Sequence, residues 1–141
     1  MLNKMGAKIY DYGKEKIIID GVNKLGGCIH KVIPDRIEAG TFLIAAAATS
    51  SSITISPVIP SHLESVTNKL QDSGSKIIIK GNSITINPRK LNSVNIKTAP
   101  FPGFPTDLQA PFTALMTIAK GESKITETIF ENRMNHIYLK E

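Results

Sequence analysis

The feature that most constrains this sequence is an internal repeat. Asp35 and Asp107 each open a predicted helix, and Ile53 and Ile125 each lie in the predicted strand that follows it. Both pairs (35 to 107 and 53 to 125) are separated by 72 residues. A repeat of this length indicates that the fold is assembled from similar supersecondary units.

The elements of the repeat are predicted from β-branched runs for strands and from runs of good helix formers for helices. The predicted strands are residues 15–20, 28–33, 52–56, 76–80, 83–87, 94–98 and 124–130, and the predicted helices are residues 35–49, 61–73 and 107–120, with a further helix opening at residue 131. From residue 28 the order is strand, helix, strand, helix, strand, strand. Two crossover helices require pairing that is at least partly parallel.

Helix boundaries carry their own signals. Asp35 is placed to cap the first helix, and Ser61 with Glu64 has the spacing of a capping box. Gly74 follows the second helix and predicts its end, because glycine adopts a positive φ at little cost.

These patterns predict an α/β fold of repeated βαβαββ units. Residues 28–92 form one complete unit, residues 1–27 are the end of a preceding unit with a linker, and residues 93–141 are a partial following unit. Repeat proteins seldom begin and end inside a unit, because the cut faces expose apolar surface. We therefore expect a fragment of a longer protein.

The charge pattern argues against a nucleic-acid partner. The chain of 141 residues has 17 Lys and Arg against 12 Asp and Glu, a formal charge of +5, and this excess is dispersed. A polyanion track concentrates its basic residues and interleaves them with aromatic rings, which this sequence does not do. Dispersed charge suits small anionic ligands better.

Other compositional features predict the compartment. The longest apolar run, residues 42–48, is interpreted as core and is far shorter than the roughly 20 residues that span a bilayer. The single cysteine, Cys28, excludes an internal disulfide and is predicted to be a buried structural thiol. We therefore expect a cytoplasmic protein with no membrane partner.

A proline-rich loop, residues 99–109 (APFPGFPTDLQ), delivers Thr106 and Asp107 to a helix start. Two interpretations stay open from the pattern alone. Either side chain could simply cap the helix. Alternatively, a rigid loop that presents one carboxylate could hold Asp107 as a general base.

Two arginines, Arg36 and Arg133, lie near predicted helix starts, where a cation opposes the helix dipole. Each could be paired locally, with Asp35 or Glu131. Otherwise the arginines and helix N-termini together favour a phosphate or carboxylate ligand. The three histidines share no metal-ligand spacing, so we predict neither a metal nor another cofactor.

Three strings carry a family resemblance: PDRIEAGTFLIAAA at 34–47, FPGFPTDLQAPF at 101–112 and ITETIFENRMNHI at 125–137. Together they resemble the UDP-N-acetylglucosamine 1-carboxyvinyltransferases, a family of enolpyruvyl transferases. The resemblance covers essentially the whole chain. It implies an inside-out α/β barrel, in which repeated βαβαββ units place their helices inside.

The resemblance also implies a reaction and its residues. The 3′-hydroxyl of UDP-N-acetylglucosamine attacks C2 of phosphoenolpyruvate, and phosphate leaves. Asp107, in FPTD, resembles the carboxylate that contacts the sugar hydroxyl and takes its proton. Ile129 resembles a position that binds the UDP-sugar through its backbone, and Arg36 and Arg133 resemble residues that support phosphate-bearing substrates.

The family's proton-donating cysteine and its phosphoenolpyruvate clamp have no counterpart in these residues, and Cys28 does not match that cysteine. The chain alone is therefore expected to be inactive and to need the remainder of the enzyme as its partner. The alternative is a non-catalytic sugar-nucleotide-binding or assembly module derived from the same fold.

Overall fold

A computed structural model describes residues 1–13 and 15–137. The chain divides into two compact units, Met1–Ile33 and Pro34–Glu141. The predicted division into one complete repeat and two partial ones concerns sequence similarity between units, and it stays a prediction.

The first unit is built on a β-hairpin. Strands β1 (Lys8–Tyr10) and β2 (Ile18–Asp20) pair antiparallel, with Ile9 opposite Ile19. A 3₁₀ turn precedes them, and within it Asn3 uses its side-chain amide to bond both the N–H and the carbonyl of Ile9, over 3.0 and 2.7 Å. β2 lies inside the predicted strand 15–20.

The predicted strand at residues 28–33 is wrong. These residues form no strand, and Ile29, Val32 and Ile33 are 95%, 77% and 60% exposed. The apolar alternation was interpreted as a strand, but no described strand pairs with it. Cys28 is half-buried rather than buried, because its segment packs into no sheet.

The second unit contains most of the regular structure. Its helices are α1 (Arg36–Ala48), α2 (Glu64–Asp72) and α3 (Gln109–Thr117), its strands are β3 (Ile53–Ile55), β4 (Lys76–Lys80), β5 (Ser83–Asn87), β6 (Ile96–Lys97) and β7 (Ile125–Thr126), and its 3₁₀ turns are Pro60–His62, Thr106–Leu108 and Asn135–Ile137. The predicted α/β class is confirmed. The helix predicted to open at residue 131 is wrong within the described residues, because 131–134 form a turn and Asn135–Ile137 a 3₁₀ turn; its remainder lies outside the described residues.

The main sheet of this unit has the order β3-β5-β4, and both neighbouring pairs are antiparallel. β3 and β4 therefore run in the same direction, joined by α2, with β5 inserted between them as in a split βαβ unit. The prediction of parallel pairing within residues 28–92 is wrong, because the β4–β5 hairpin fills the gap between the parallel strands. Parallel pairing occurs instead between β6 and β7.

The helix caps follow the sequence signals in part. Asp35 Oδ1 accepts the N–H groups of Ile37 and Glu38 over 2.7 and 3.3 Å, as predicted. Gly74, with φ at 108°, ends α2 as predicted. The capping box is wrong: Ser61 lies in the preceding 3₁₀ turn, and α2 begins at Glu64 without a side-chain cap.

The core of the second unit lies around α1, which contacts β3 and β5 on one side and α3 with the Thr106–Leu108 turn on another. The core prediction for residues 42–48 is wrong at three positions, since Phe42 is 55% exposed and Ala45 and Ala48 are also exposed, while the other four residues are buried. Gly40 faces Leu108, and a Cβ added at Gly40 would overlap the Leu108 side chain. This close approach fixes the turn that carries Asp107 against α1.

Candidate active site

The proline-rich loop before Asp107 is closed by its own backbone. The Ala99 N–H donates to the Phe104 carbonyl over 3.0 Å, and the Gly103 N–H donates to the Pro100 carbonyl over 2.8 Å. Ser65 Oγ, on α2, donates to the Gly103 carbonyl over 3.1 Å. The loop is therefore held both internally and by α2.

Asp107 does not cap a helix. It lies in the 3₁₀ turn, and neither this turn nor α3 has a side-chain cap, so the capping interpretation is wrong. Its side chain is instead 52% exposed, and its Oδ1 accepts a hydrogen bond from Arg133 over 2.7 Å. The carboxylate is thus oriented by a cation and open to solvent.

Arg133 brings the FENR string to the FPTD string. Its guanidinium bonds to Asp107 and lies 5.2 Å from the centroid of the Phe130 ring. The interpretation of a purely local partner for Arg133 did not anticipate this contact across 26 residues of sequence. Two of the predicted site residues are therefore in direct contact.

Glu127 bonds to Thr106, the residue before Asp107, and was not among the predicted site residues. Its Oε1 accepts from Thr98 Oγ1 over 2.8 Å and from the N–H groups of Ile129 and Phe130 over 2.7 and 3.2 Å. Its Oε2 accepts from Thr106 Oγ1 over 2.7 Å. One carboxylate therefore connects β6, the Asp107 turn and the segment after β7.

These bonds keep Glu127 ionised. Burial by itself raises the pKa of the Glu127 carboxyl, but the hydrogen bonds from Thr106, Ile129, Thr98 and Phe130 outweigh it and lower the pKa from 4.5 to about 2. The predicted strand 124–130 is found only over β7, Ile125–Thr126, and the N–H groups of residues 129 and 130 are donated to Glu127 instead of to a neighbouring strand.

Ile129 is half-buried, and its N–H is donated to Glu127. A backbone contact from this residue to a ligand would therefore use its carbonyl oxygen. The neighbouring Thr128 N–H and Oγ1 bond to Thr98 Oγ1 and to the Thr98 carbonyl over 2.8 and 2.5 Å. The backbone before and at Ile129 is thus fixed against β6.

Arg36 lies against the proline-rich loop. Its guanidinium is 5.5 Å from the centroid of the Phe101 ring, and the His62 ring meets the same phenylalanine edge-on at 5.9 Å. Asp35, the local partner considered for Arg36, uses its Oδ1 to cap α1. Arg36 therefore contacts the loop that leads to Asp107.

The described residues contain no group of three or more histidine, cysteine, aspartate or glutamate side chains that could hold a metal ion. Within the same residues, every helix is too short or too polar to cross a membrane.

The contacts that the sequence analysis missed centre on Glu127 and Phe101. Both belong to strings that were singled out for their resemblance, but neither was given a role. A signal was present for Glu127: a carboxylate two and three residues before the free N–H groups of a turn can accept both. The bonds from Thr98 and Thr106 depend on tertiary structure and could not be predicted from spacing.

Known proteins match nearly the whole chain. Residues 1–139 match the sequence profile of the EPSP synthase (3-phosphoshikimate 1-carboxyvinyltransferase) family. The chain is similar to the UDP-N-acetylglucosamine 1-carboxyvinyltransferase of Prochlorococcus marinus strain AS9601, with 86% identity over 139 residues, covering 99% of this chain and 30% of that protein. The same-named protein of strain MIT 9313 is 58% identical over 137 residues, covering 97% of this chain and 32% of that protein.

The fold has a solved counterpart in the enolpyruvyl transferase NikO from Streptomyces tendae. The TM-score is 0.81 at 25% identity, covering 96% of this chain and 33% of that chain. This likeness is consistent with the inside-out α/β barrel, although the described residues themselves form no closed barrel. The chain spans about 30% of the length of the curated relatives it matches.

Proposed function

Because the chain belongs to the EPSP synthase family, we propose that it supplies part of the active site of an enolpyruvyl transferase. The reaction transfers the enolpyruvyl group of phosphoenolpyruvate to the 3′-hydroxyl of UDP-N-acetylglucosamine and releases phosphate. Support comes from the relatives named UDP-N-acetylglucosamine 1-carboxyvinyltransferase, which match nearly all of this chain. The remaining groups of the site belong to the remainder of the enzyme.

The observation that carries this proposal is the contact between Arg133 and Asp107 over 2.7 Å. A sugar hydroxyl attacks poorly unless its proton is removed as the new bond forms. Asp107 is exposed enough to reach that proton, and the bond from Arg133 to its Oδ1 orients the carboxylate. Asp107 is the proposed general base.

The other site residues are proposed to bind the substrates. Arg133 and Arg36 carry permanent positive charge, which suits the phosphate groups of both substrates. The carbonyl of Ile129 is proposed to contact the UDP-sugar.

The biological setting follows from the same proposal. The reaction would be the first committed step of peptidoglycan synthesis, with links to cell shape and cell division, and it would take place in the cytoplasm. It would use the two small-molecule substrates without a cofactor, a nucleic acid or a membrane.

The test is a hybrid enzyme, in which residues 1–139 of this chain replace the matching segment of the relative from strain AS9601. We expect the hybrid to release phosphate from phosphoenolpyruvate only when UDP-N-acetylglucosamine is present. The 141-residue chain by itself is expected to release none, because addition and elimination need all the groups assembled together.

The same experiment tests the alternative, a non-catalytic module. A folded hybrid that binds UDP-N-acetylglucosamine but releases no phosphate, while the unmodified relative does, would contradict the proposed function and favour that module. Folding of the hybrid is checked by circular dichroism and thermal melting before the assay.

A further inference from the structure

Glu127 occupies a junction between segments that are distant in sequence. Thr98 directly follows β6, and Thr106 opens the turn that carries Asp107. Both hydroxyls donate to Glu127, across 29 and 21 residues of sequence, while Ile129 and Phe130 donate from its own segment. The carboxylate is the common acceptor of all four.

The hydrogen-bonding capacity of Glu127 is used within the protein. Its Oε1 accepts three bonds and its Oε2 accepts one, each between 2.7 and 3.2 Å. All four donors are neutral. Because the acceptor is an ionised carboxylate, each of the four bonds is charge-assisted. Such an acceptor is suited to fixing its donors in place rather than to taking a proton from a substrate.

The two carboxylate oxygens of Glu127 bond to different parts of the proposed site. Thr106 immediately precedes Asp107, so the bond to Oε2 fixes the turn that presents the proposed base. The bonds to Oε1 fix the backbone at Ile129 and Phe130, next to the proposed contact with the UDP-sugar. Thr98 is fully buried, directly follows β6, and accepts the N–H of Thr128, so it connects the Ile129 segment to β6.

We propose that Glu127 is a positioning residue that sets the Asp107 turn and the Ile129 segment at a fixed separation. This inference rests on the proposed function. The two groups of bonds are expected to have different kinetic effects. Loss of the Thr106 bond misplaces the base and lowers kcat. Loss of the Thr98 bond misplaces the sugar-binding segment and raises KM for UDP-N-acetylglucosamine.

The test uses the hybrid enzyme with near-isosteric variants. Thr106→Val is expected to lower kcat about tenfold with KM changed less than about twofold, since small misplacements of a reacting group are costly. Thr98→Val is expected to raise KM for UDP-N-acetylglucosamine about fivefold or more, with a smaller effect on kcat. Thr106→Ser and Thr98→Ser keep the hydroxyl and are expected to recover most of each loss.

Two further variants make the test specific. Thr54→Val removes an exposed hydroxyl that bonds to Thr85 on the sheet, and it is expected to leave kcat and KM unchanged. Glu127→Gln alters the common acceptor. In a hybrid that already carries Glu127→Gln, Thr106→Val is therefore expected to lower log kcat by less than half as much as it does in the unsubstituted hybrid.

Unchanged kcat in Thr106→Val, or equal effects of Thr106→Val and Thr106→Ser, would overturn the inference. The inference would also be overturned if the double variant lowered kcat by the product of the two single-variant factors. If Thr98→Val fails to fold, the comparison of kcat between Thr106→Val and Thr106→Ser still tests the inference. An unsubstituted hybrid that is folded but inactive contradicts the proposed function instead, so the two failures are distinguishable.

Discussion

Arg133 and Asp107 are joined by a hydrogen-bonded ion pair of 2.7 Å that links the segment after β7 to the turn before α3. The two side chains are 37% and 52% exposed, and a pair this exposed contributes only about 0–1 kcal/mol to stability. The contact is therefore explained better by orientation of the carboxylate than by folding.

The first prediction concerns Arg133. In the hybrid enzyme, Arg133→Ala is expected to lower kcat/KM at least about tenfold, because Asp107 loses a charge-assisted bond that orients it. The melting temperature is expected to change by less than about 3 °C, consistent with an exposed pair. Phosphate release and thermal melting are the measurements.

Lys69→Ala is the matched control, since Lys69 and Asp72 form another exposed ion pair, at 3.4 Å on α2. It is expected to leave both kcat and KM unchanged. Equal activity in Arg133→Ala and Lys69→Ala would contradict the role assigned to Arg133.

The second prediction concerns the rigidity of the proline-rich loop. A Cβ added at Gly103 would lie 2.5 Å from Ala99 Cβ and 3.0 Å from the Pro100 carbonyl oxygen. Because these atoms belong to the same tight loop, Gly103→Ala is expected to destabilise the chain by about 1–3 kcal/mol. Urea denaturation of the 141-residue chain measures this change.

Gly21→Ala is its control. Nothing lies within 4 Å of a Cβ added at Gly21, and its φ is not in the left-handed region. Its free energy of unfolding is expected to stay within about 0.5 kcal/mol of the unsubstituted chain, as for surface substitutions in general. A Gly103→Ala chain as stable as the Gly21→Ala chain would show that the loop is looser than described.

The third prediction is a pH dependence of stability that originates at Glu127. The folded-state pKa, about 2, lies below the ordinary value of 4.5, so the ionised carboxylate stabilises the folded state. This contribution is fully present above about pH 4.5 and is lost as the pH falls toward 2. Glu127→Gln is therefore expected to be less stable than the unsubstituted chain at pH 7, with the difference shrinking as the pH falls through this window.

Urea denaturation of both chains from pH 7 to pH 2.5 provides the measurement. The hydrogen-bond donors to Glu127 carry no charge, so their own titration does not complicate this interval. A stability difference that stays constant, or grows, as the pH falls would contradict the arrangement around Glu127.

Local signals in the sequence were sufficient for several elements. The strands 76–80 and 83–87 are found with the predicted boundaries, and the Asp35 cap and the Gly74 helix end are confirmed. Each depends on residues that are close in sequence: β-branched runs, a side chain next to free N–H groups, or a glycine with a positive φ. Such features depend mainly on local interactions, which a sequence displays directly.

Features that depend on distant residues were not predictable in the same way. The segment 28–33 has strand-like residues but no described partner. The predicted strand 124–130 ends at Thr126, and the N–H groups of Ile129 and Phe130 are donated to Glu127 instead of to a strand. The Arg133–Asp107 contact brings together two strings that were recognised separately. Their residue types indicated chemistry, but only the fold places them within bonding distance.

The most direct test of the proposed mechanism is kcat of the hybrid enzyme carrying Asp107→Asn. This substitution keeps the shape of the side chain and removes its ability to take a proton, so kcat is expected to fall at least about a hundredfold, the usual scale for loss of a general base. Asp72→Asn, at an exposed carboxylate on α2, is expected to leave kcat unchanged. A folded Asp107→Asn hybrid with kcat within about threefold of the unsubstituted hybrid would contradict the role of Asp107 as the general base.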